Sequence, residues 1–488
     1  MKGGLRLFPI LVLLACTKST PLELEVWRST ASGERLKAVD TQSEQRGQAW
    51  HIYPDSTYQE LQGFGGAFTE SSAHLWTKLK PELQQELIAA YFADTAAAYN
   101  MGRTHINSCD FSLNSYHYLA EGDTSLNSFS LAEDEEDIIP MIKAAQALEP
   151  DLKLIASPWT APPFMKDNQA WFGGKLKTEF YGLWADYFVK YHQALSQYEI
   201  EPWAYTVENE PLGNDANWES MHYTPQEMAA FVKEHLGPKF KAAGIDSRIL
   251  LYDQNRGEEL EEWVNVLLRD SALLPMVYGT AVHWYTSTYD WFPASLEHTH
   301  NLAPGKAIVQ TEGCVDAEVP HWQDDAWYWS KEATDWGYDW AKEEDKYLHP
   351  KYVPVYRYAR DIIGSLNSWV EGWVDWNMLL DPGGGPNHAS NWCVAPVLAD
   401  TLKQELYYTP LYDVMRHFSA YIPAGSKRIG HGTLPENCMA LTVLRPDSKI
   451  VAVILNTGET EQVLEINCND KARSLQLPAA SLQTLILK

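Results

Sequence analysis

Cysteine is scarce in this sequence, with six residues among 488. The first, Cys16, lies in an N-terminal leader, and the other five form no Cys-x-x-Cys motif and no cluster with histidine. An odd number cannot pair completely within one chain, so the pattern indicates neither a disulfide framework nor a zinc site. We expect most of the five to be buried thiols. They are Cys109, Cys314, Cys393, Cys438 and Cys468.

Positive charge is also in short supply. The chain has 38 Lys and Arg residues against 65 Asp and Glu residues, which gives a formal net charge of −27. A surface this negative repels phosphate backbones and anionic lipid headgroups, so we expect no nucleic acid partner. The 20 Trp and 26 Tyr residues suit either core packing or a sugar-binding cleft, because pyranose rings stack on flat aromatic faces. Composition leaves both interpretations open.

Long apolar runs are missing apart from the leader, where Leu7 to Ala15 follow the basic residues Lys2 and Arg6. That run is too short to span a bilayer and has the length of a signal-peptide core. Its end, Leu13-Leu14-Ala15-Cys16, resembles a bacterial lipobox. We therefore expect residues 1–16 to be a signal peptide and Cys16 to carry a lipid, giving an exported, membrane-anchored lipoprotein. A plainly cleaved signal peptide is the alternative.

From Leu61 onwards, short apolar segments alternate with amphipathic helical ones. Eight such units predict a (β/α)8 TIM barrel over residues 61–422. Beyond it, alternating strands and turn signals predict an antiparallel β-sandwich over residues 423–488, to which residues 17–60 would add strands. The eight candidate barrel strands are Gly63–Phe68, Asn100–Ile106, Leu152–Trp159, Trp203–Glu210, Arg248–Asp253, Tyr278–Tyr285, Ala307–Glu312 and Ser368–Trp376.

Two of these strands end in acidic residues. Strand four runs into Glu208-Asn209-Glu210, and strand seven ends at Glu312. Functional side chains of a TIM barrel sit at the carboxyl ends of its strands, so both strands deliver a carboxylate to one face. Hydrolysis of a glycosidic bond needs such a pair: an acid for the leaving oxygen and, for retention, a nucleophile for the anomeric carbon. Glu208 would point to the same side but deeper, and we interpret it as structural and paired with Arg103.

A series of motifs makes this interpretation specific. In chain order they are Gly-Phe-Gly-Gly-Ala-Phe-Thr-Glu (63–70), Ser-Cys-Asp-Phe-Ser (108–112), Ser-Pro-Trp-Thr (157–160), Glu-Asn-Glu-Pro (208–211), Val-His-Trp-Tyr (282–285), Gly-Trp-Val-Asp-Trp-Asn (372–377) and Gly-Gly-Pro-Asn (384–387). Together they resemble glycoside hydrolase family 30 over nearly the whole chain after the leader. The resemblance implies a retaining β-glycosidase of the glucosylceramidase type, which hydrolyses β-D-glucosidic bonds by double displacement.

The resemblance also implies roles for individual residues. The acid/base glutamate of the family directly follows an asparagine, which selects Glu210 over Glu208, and Glu312 takes the place of the nucleophile. Four further residues are implied to contact the sugar: Asp110, Trp159, Asn209 and Trp376. Their chemistry suits that task, because an aspartate accepts bonds from two hydroxyls, an asparagine can hold the 2-hydroxyl, and an indole offers a flat wall.

Three more residues are expected near the nucleophile. Arg103 on strand two could donate a hydrogen bond to Glu312 and keep it ionised. Tyr285 and His283 on strand six could do likewise. Tyr285 is the better candidate, and His283 could equally be a satisfied core residue. This chemistry requires no metal or organic cofactor, and the sequence signals none.

The segment between strands seven and eight carries five tryptophans among many acidic residues. Because it follows strand seven, we expect it to lie over the catalytic face, where it either packs on the barrel or shapes the aglycone side. Its tryptophans are Trp322, Trp327, Trp329, Trp336 and Trp340. His388, which follows Asn387, is expected to alter the rim as well.

Three functions remain in competition. The first is an exo-acting enzyme on β-glucosides, and the second is an endo-β-1,6-glucanase of the same family that binds a glucan on both sides of the scissile bond. The third, a surface glycan-binding lipoprotein without catalytic activity, is disfavoured because both carboxylates are present.

Overall fold

The computed structural model describes residues 20–40, 43, 45, 47–215, 217–316, 323–329, 333 and 353–488. The leader with Cys16, and the tryptophans Trp322, Trp336 and Trp340, lie outside the described residues. The described chain forms a closed eight-stranded barrel and a ten-stranded sheet. Within this part of the chain, no helix is long and apolar enough to cross a membrane.

The strands are numbered in chain order. The N-terminal segment holds β1 (Thr20–Pro21), β2 (Leu24–Thr30), β3 (Lys37–Val39) and β4 (Gln48–Glu60). The middle of the chain holds β5 (Gly63–Ala67), β6 (Met101–Ile106), β7 (Lys153–Pro158), β8 (Ala204–Thr206), β9 (Arg248–Asn255), β10 (Gly279–His283), β11 (Ala307–Glu312), β12 (Val315–Asp316), β13 (Val370–Asn377), β14 (Leu379–Leu380), β15 (Cys393–Val394), β16 (Val397–Asp400) and β17 (Glu405–Tyr408). The C-terminal strands are β18 (Lys427–His431), β19 (Cys438–Leu444), β20 (Ile450–Asn456), β21 (Gln462–Cys468), β22 (Lys471–Leu477) and β23 (Ser481–Leu487).

The helices between the barrel strands bury apolar side chains. On α5 (Tyr181–Ser196), for example, Trp184, Tyr187 and Phe188 are fully buried, and α6 (Pro225–Phe231) begins with a capping box in which Thr224 and Glu227 bond each other's backbone. The helices are α1 (Glu70–Lys78), α2 (Pro81–Phe92), α3 (Ala132–Glu135), α4 (Ile138–Gln146), α5 (Tyr181–Ser196), α6 (Pro225–Phe231), α7 (Gly237–Ala243), α8 (Glu258–Leu267), α9 (Pro293–Leu302), α10 (Asp325–Tyr328), α11 (Pro354–Asn367) and α12 (Pro410–Ser419).

The barrel confirms the predicted fold. Its strands follow the order β5-β6-β7-β8-β9-β10-β11-β13, all parallel, and β13 pairs with β5 to close the ring. Apolar side chains such as Met101, Leu250 and Val309 fill the interior, so the site above rests on a packed floor. Several strands are shorter than predicted, and the fourth is shortened most: β8 ends at Thr206, which leaves Glu208 and Glu210 in the loop that follows it.

The sandwich has its own hydrophobic core. Trp50 of β4, Ile466 of β21 and Leu485 of β23 belong to that core, and the N-terminal strands pair directly with the C-terminal ones. Two pairs, β4 with β21 and β1 with β22, are parallel rather than antiparallel. No hairpin joins the strands of these pairs, because each combines distant ends of the chain, so connectivity does not impose an antiparallel direction.

Candidate active site

A cavity of about 430 Å³ opens at the carboxyl ends of the barrel strands. Most of the predicted site residues line it, and Arg103 lies beneath them, fully buried. The predicted residues in its wall are Asp110, Trp159, Asn209, Glu210, Tyr285, Glu312 and Trp376. The wall residues that were not predicted to belong to the site are Trp218, Asn255, Cys314, Asp316, Asn391, Trp392 and Cys393.

Glu210 and Glu312 face each other in this cavity. One carboxylate oxygen of each lies within 4.8 Å of the other. Glu312 is the last residue of β11, whereas Glu210 has a left-handed backbone with φ of 47° and donates its N–H to the Asp253 carbonyl at 2.9 Å. A non-glycine residue rarely adopts such a conformation, and where one does, it often serves to aim a functional side chain.

Arg103 of β6 joins the residues around Glu312. Its guanidinium donates to the Glu312 carboxylate, to Asp253 Oδ2 at 2.8 Å and to Asn209 Oδ1 at 2.8 Å. Its Nε donates to Ser157 Oγ at 3.1 Å. Because Asn209 accepts with its oxygen here, its amide N–H groups are directed elsewhere, which suits hydrogen bonding to a sugar hydroxyl.

Asp253 is the central residue that sequence reasoning missed. It accepts hydrogen bonds from Arg103, from Thr311 Oγ1 at 2.6 Å and from His283 Nε2 at 3.0 Å. A β-bulge positions it: Tyr252 pairs with Ala281 and the next pairing skips Asp253, a geometry that re-aims side chains near active sites. Burial alone would raise the pKa of Asp253, but Arg103 and His283 outweigh it and hold that pKa below the ordinary value. The available signal was its position at the end of predicted strand five.

Trp159 and Trp376 form one wall of the cavity. Their rings stack with centroids 5.2 Å apart and an interplanar angle of 21°, and the Arg103 guanidinium lies 4.8 Å from the centre of the Trp159 ring. Both indoles are only 2% exposed. The wall is therefore rigid, with its orientation fixed before a ligand enters.

Tyr285 contacts the same carboxylate as Arg103. Its hydroxyl donates to Glu312 Oε1 at 2.9 Å. Burial raises the pKa of Glu312 above its ordinary value, while the positive charges of His283 and Arg103 and the Tyr285 hydrogen bond act in the opposite direction. The charged form of Glu312 thus has three specific partners that stabilise it.

His283 does not hydrogen-bond Glu312, contrary to one of the expectations. Its Nδ1 lies 3.2 Å from Glu210 Oε1 and its Nε2 lies 3.0 Å from Asp253 Oδ1, so it joins the two carboxylates. Burial lowers its pKa, but the charge of Glu312 and the bonds to Asp253 and Glu210 prevail and raise the pKa of His283 to about 9. At neutral pH both ring nitrogens therefore carry protons and donate.

Glu208 does not pair with Arg103, and this prediction is wrong. Both of its carboxylate oxygens are buried without a hydrogen-bond partner among the described residues. Burial raises the pKa of Glu208 well above its ordinary value. The expected pairing assumed that β8 continues to Glu210, but the strand stops at Thr206.

Asp110 lies in the loop after β6 and faces the cavity. Asn391 Nδ2 donates to its Oδ2 at 3.1 Å. Burial, reinforced by the charge of Glu312, raises the pKa of Asp110 to about 8. At neutral pH Asp110 therefore holds a proton and can donate to a sugar hydroxyl as well as accept from one.

His388 ties together three loops at the rim. It follows β13, and its Nδ1 bonds the Ser112 carbonyl at 2.9 Å in the loop after β6. Its Nε2 lies 3.2 Å from Glu219 Oε2 in the loop after β8. The Glu219 hydrogen bond raises the pKa of His388. These contacts support the loop that carries Asn391 against Asp110.

The described part of the segment after β11 only partly meets expectation. Its first residues do reach the cavity, where Asp316 lines the wall. Residues 323–329 lie elsewhere, because Asp325 contacts Arg35 and Tyr407, and neither Trp327 nor Trp329 lines the cavity. Trp329 instead packs against Tyr356 of α11. Residues 323–329 therefore pack against the barrel and the N-terminal segment and do not form part of the cavity wall.

Glu210, His283 and Glu312 would also be a possible set of metal ligands, since one ligand atom of each lies within 4.8 Å of the others. Their existing partners do not favour that use. Both nitrogens of His283 contact carboxylates, and Arg103 already places a positive charge against Glu312. A divalent cation would have to compete with two protein cations.

Comparison with known proteins assigns this architecture to a class. The chain matches the model of the glycosyl hydrolase family 30 TIM-barrel domain over residues 61–422. It also matches that of the family's beta sandwich domain over residues 425–485. The fold and the acidic cavity are thus those of a glycoside hydrolase. The chain belongs to glycoside hydrolase family 30.

Relatives with two different names share this architecture. The chain is 32% identical over 460 residues to the lysosomal acid glucosylceramidase of Mus musculus, which covers 91% of this chain and 85% of the relative. It is 25% identical over 468 residues to an endo-1,6-β-D-glucanase of Aspergillus fumigatus, covering 90% and 88%. Among solved structures, SrfJ from Salmonella typhimurium matches with a TM-score of 0.83 at 28% identity, and an endo-β1,6-glucanase with 0.78 at 25%, each covering 95% of this chain and 99% of its own.

The raised pKa of His283 predicts how stability depends on pH. Below pH ~6.5 the imidazole is protonated in both folded and unfolded chains, and its stabilising effect is complete. As pH rises towards 9, only the folded protein keeps the proton, so this contribution, about 3 kcal/mol, is lost. The free energy of unfolding, measured with urea at pH 6 and at pH 9, reports this loss. The loss should be about 3 kcal/mol larger for wild type than for His283→Gln, which does not titrate. Equal losses in the two proteins would contradict it.

Proposed function

We propose that this chain is a retaining β-glycosidase in which Glu312 is the nucleophile and Glu210 the general acid/base. The observation that carries the proposal is the spacing of the two carboxylates. Inverting enzymes hold them ~6.5–9.5 Å apart to admit a water molecule, whereas retaining enzymes hold them ~5–5.5 Å apart. Oxygens of Glu210 and Glu312 within 4.8 Å of each other suit direct attack by one carboxylate on the anomeric carbon.

The surroundings of the two glutamates support this division of roles. Glu312 receives hydrogen bonds from Arg103 and Tyr285, which stabilise a carboxylate and so favour a nucleophile. Glu210 stands nearer to solvent, with its side chain 21% exposed against 8% for Glu312. That is the side from which a leaving group departs and water enters.

The reaction then follows in two balanced steps. In the first, a Glu312 oxygen bonds to the anomeric carbon while the bond to the leaving oxygen breaks and the proton of Glu210 passes to that oxygen. In the second, the Glu210 carboxylate takes a proton from water, whose oxygen attacks the anomeric carbon and releases Glu312. The sugar keeps its β configuration because each step inverts it once.

For the substrate we propose a β-D-glucoside cleaved from its end. The relative named lysosomal acid glucosylceramidase supports the sugar, and a cavity of about 430 Å³ lies at the small end of ordinary ligand pockets. That size favours one sugar ring and part of an aglycone over a long oligosaccharide. The second candidate is endo-β-1,6-glucanase, favoured by the solved structure of that name at a TM-score of 0.78.

The acid role of Glu210 is tested through leaving groups. Glu210→Ala should lose ~10²–10⁴-fold in kcat/KM on phenyl β-glucoside, whose leaving group needs a proton. The loss on 2,4-dinitrophenyl β-glucoside should be much smaller, because that leaving group departs as a stable anion. Glu262→Ala, which removes an exposed carboxylate on α8, serves as the control and should retain full activity on both.

Two outcomes would contradict this assignment. Equal losses on both substrates would show that Glu210 does not act as the acid. Wild type that binds glycan without hydrolysing either substrate would favour the non-catalytic glycan-binding alternative.

The mode of action is tested by product analysis with purified wild type. We expect glucose from phenyl β-glucoside, and no drop in the chain length of β-1,6-glucan over the same interval, because the cavity is small. Size-exclusion chromatography of the polymer and chromatography of released glucose measure the two. Rapid fragmentation of the polymer into oligomers would favour the endo-acting enzyme instead.

A further inference from the structure

A short two-stranded ribbon forms part of the cavity wall. It consists of β12 and β15, which pair antiparallel with Val315 opposite Val394 and Asp316 opposite Cys393. Opposed residues of such a pair share one face, and the face alternates along each strand. Cys393 therefore lies on the face of Asp316 and of the residue two positions before it, Cys314.

The sulfurs of Cys314 and Cys393 meet across this ribbon. Their Sγ atoms are 2.9 Å apart, and a disulfide bond is ~2.0 Å long, so a movement of less than an ångström joins them. Both residues are more than nine-tenths buried, yet both line the cavity, which gives small molecules access. Of the five cysteines in the described part of the chain, these are the two whose sulfurs are in contact.

We propose that Cys314 and Cys393 are a disulfide-forming site in the wall of the catalytic cavity. The oxidant is a small-molecule disulfide that enters the cavity. One of the two cysteines attacks, as its thiolate, a sulfur of that molecule and releases the first small thiol, and the other cysteine then displaces the second. Two S–H bonds break, one protein S–S bond forms, two protons are released to buffer or to the departing thiolates, and the small disulfide gains two electrons.

The surroundings of the thiols predict how the exchange depends on pH. Burial raises the pKa of both Cys314 and Cys393. Because the thiolate is the form that attacks, the exchange accelerates as pH rises.

The bond would connect elements that are far apart in sequence. Cys314 and Cys393 are 79 positions apart, and the chain between them includes α11 and β13, the strand that carries Trp376. Closing a long loop restricts the unfolded chain and so stabilises the folded one. Cys314 also lies 3.6 Å from the Tyr285 hydroxyl that bonds Glu312. The disulfide therefore fixes the rim of the site next to the nucleophile.

The experiment compares folded wild type incubated with bis(2-hydroxyethyl) disulfide against the same protein kept in dithiothreitol. Each sample is quenched in acid, unfolded with an alkylating reagent, digested without reduction and analysed by mass spectrometry. We expect a cross-linked pair of peptides containing Cys314 and Cys393, two hydrogens lighter than the separate thiol peptides, in the oxidised sample alone. Cys109, Cys438 and Cys468 should be alkylated, and the unfolding midpoint of the oxidised protein should rise by several degrees.

The variants separate this pair from the other thiols. Cys314→Ser and Cys393→Ser should each abolish both the cross-link and the thermal shift, whereas Cys438→Ser should keep both. The proposal is overturned if oxidised wild type shows Cys314 and Cys393 alkylated, or joined only to the small thiol, or cross-linked to other cysteines. The mass readout needs no turnover, so it stands or falls independently of the proposed glycosidase activity.

Discussion

The guanidinium of Arg103 is the group on which the geometry of this site depends. It is fully buried and contacts residues from three barrel strands or the loops that follow them: Glu312, Asp253 and Asn209. A buried cation is stable only when paired and hydrogen-bonded, and here its donors meet two carboxylates, an amide and a hydroxyl. The planar fork of arginine suits this arrangement, whereas the point charge of lysine could not hold the same partners. Removing the guanidinium would leave the buried carboxylates of Asp253 and Glu312 without this compensating charge.

Asp253 connects the residues around Glu312 to those around Glu210. Through Arg103 it is connected to Glu312, and through His283 it is connected to Glu210. The buried Asp253 carboxylate thereby shares the Arg103 cation with Glu312 and the His283 cation with Glu210. The bulge in β9 and the left-handed backbone at Glu210 are local departures from regular structure that make this sharing possible. The packed lower barrel keeps them in place.

The barrel and its eight strands could be predicted from the sequence, because they depend on local periodicity. The facing pair of glutamates could be predicted as well, because functional residues of a TIM barrel lie at the carboxyl ends of its strands. Prediction failed where the chain departs from the regular alternation of side chains along a strand. Glu208 was placed by counting along a strand that ends at Thr206, and Asp253 required a bulge that no residue pattern announces.

Contacts between distant segments were beyond sequence reasoning for a different reason. The pairing of Cys314 with Cys393, and of His388 with Glu219, joins loops whose approach is set by the whole barrel. The parallel pairing of β4 with β21 arises in the same way.

The most direct test of the account is to identify the residue that becomes covalently attached to the sugar. In a 2-deoxy-2-fluoro-β-glucoside with a dinitrophenolate leaving group, the fluorine slows both steps because it destabilises their oxocarbenium-like transition states, whereas the good leaving group speeds only the first, so the glycosyl-enzyme accumulates. Peptide mass spectrometry then locates the label. We predict one fluoroglucosyl group, attached to Glu312. A label on another residue would contradict the assignment of Glu312 as the nucleophile. Turnover that shows no burst and first releases an α-configured sugar would contradict the retaining mechanism.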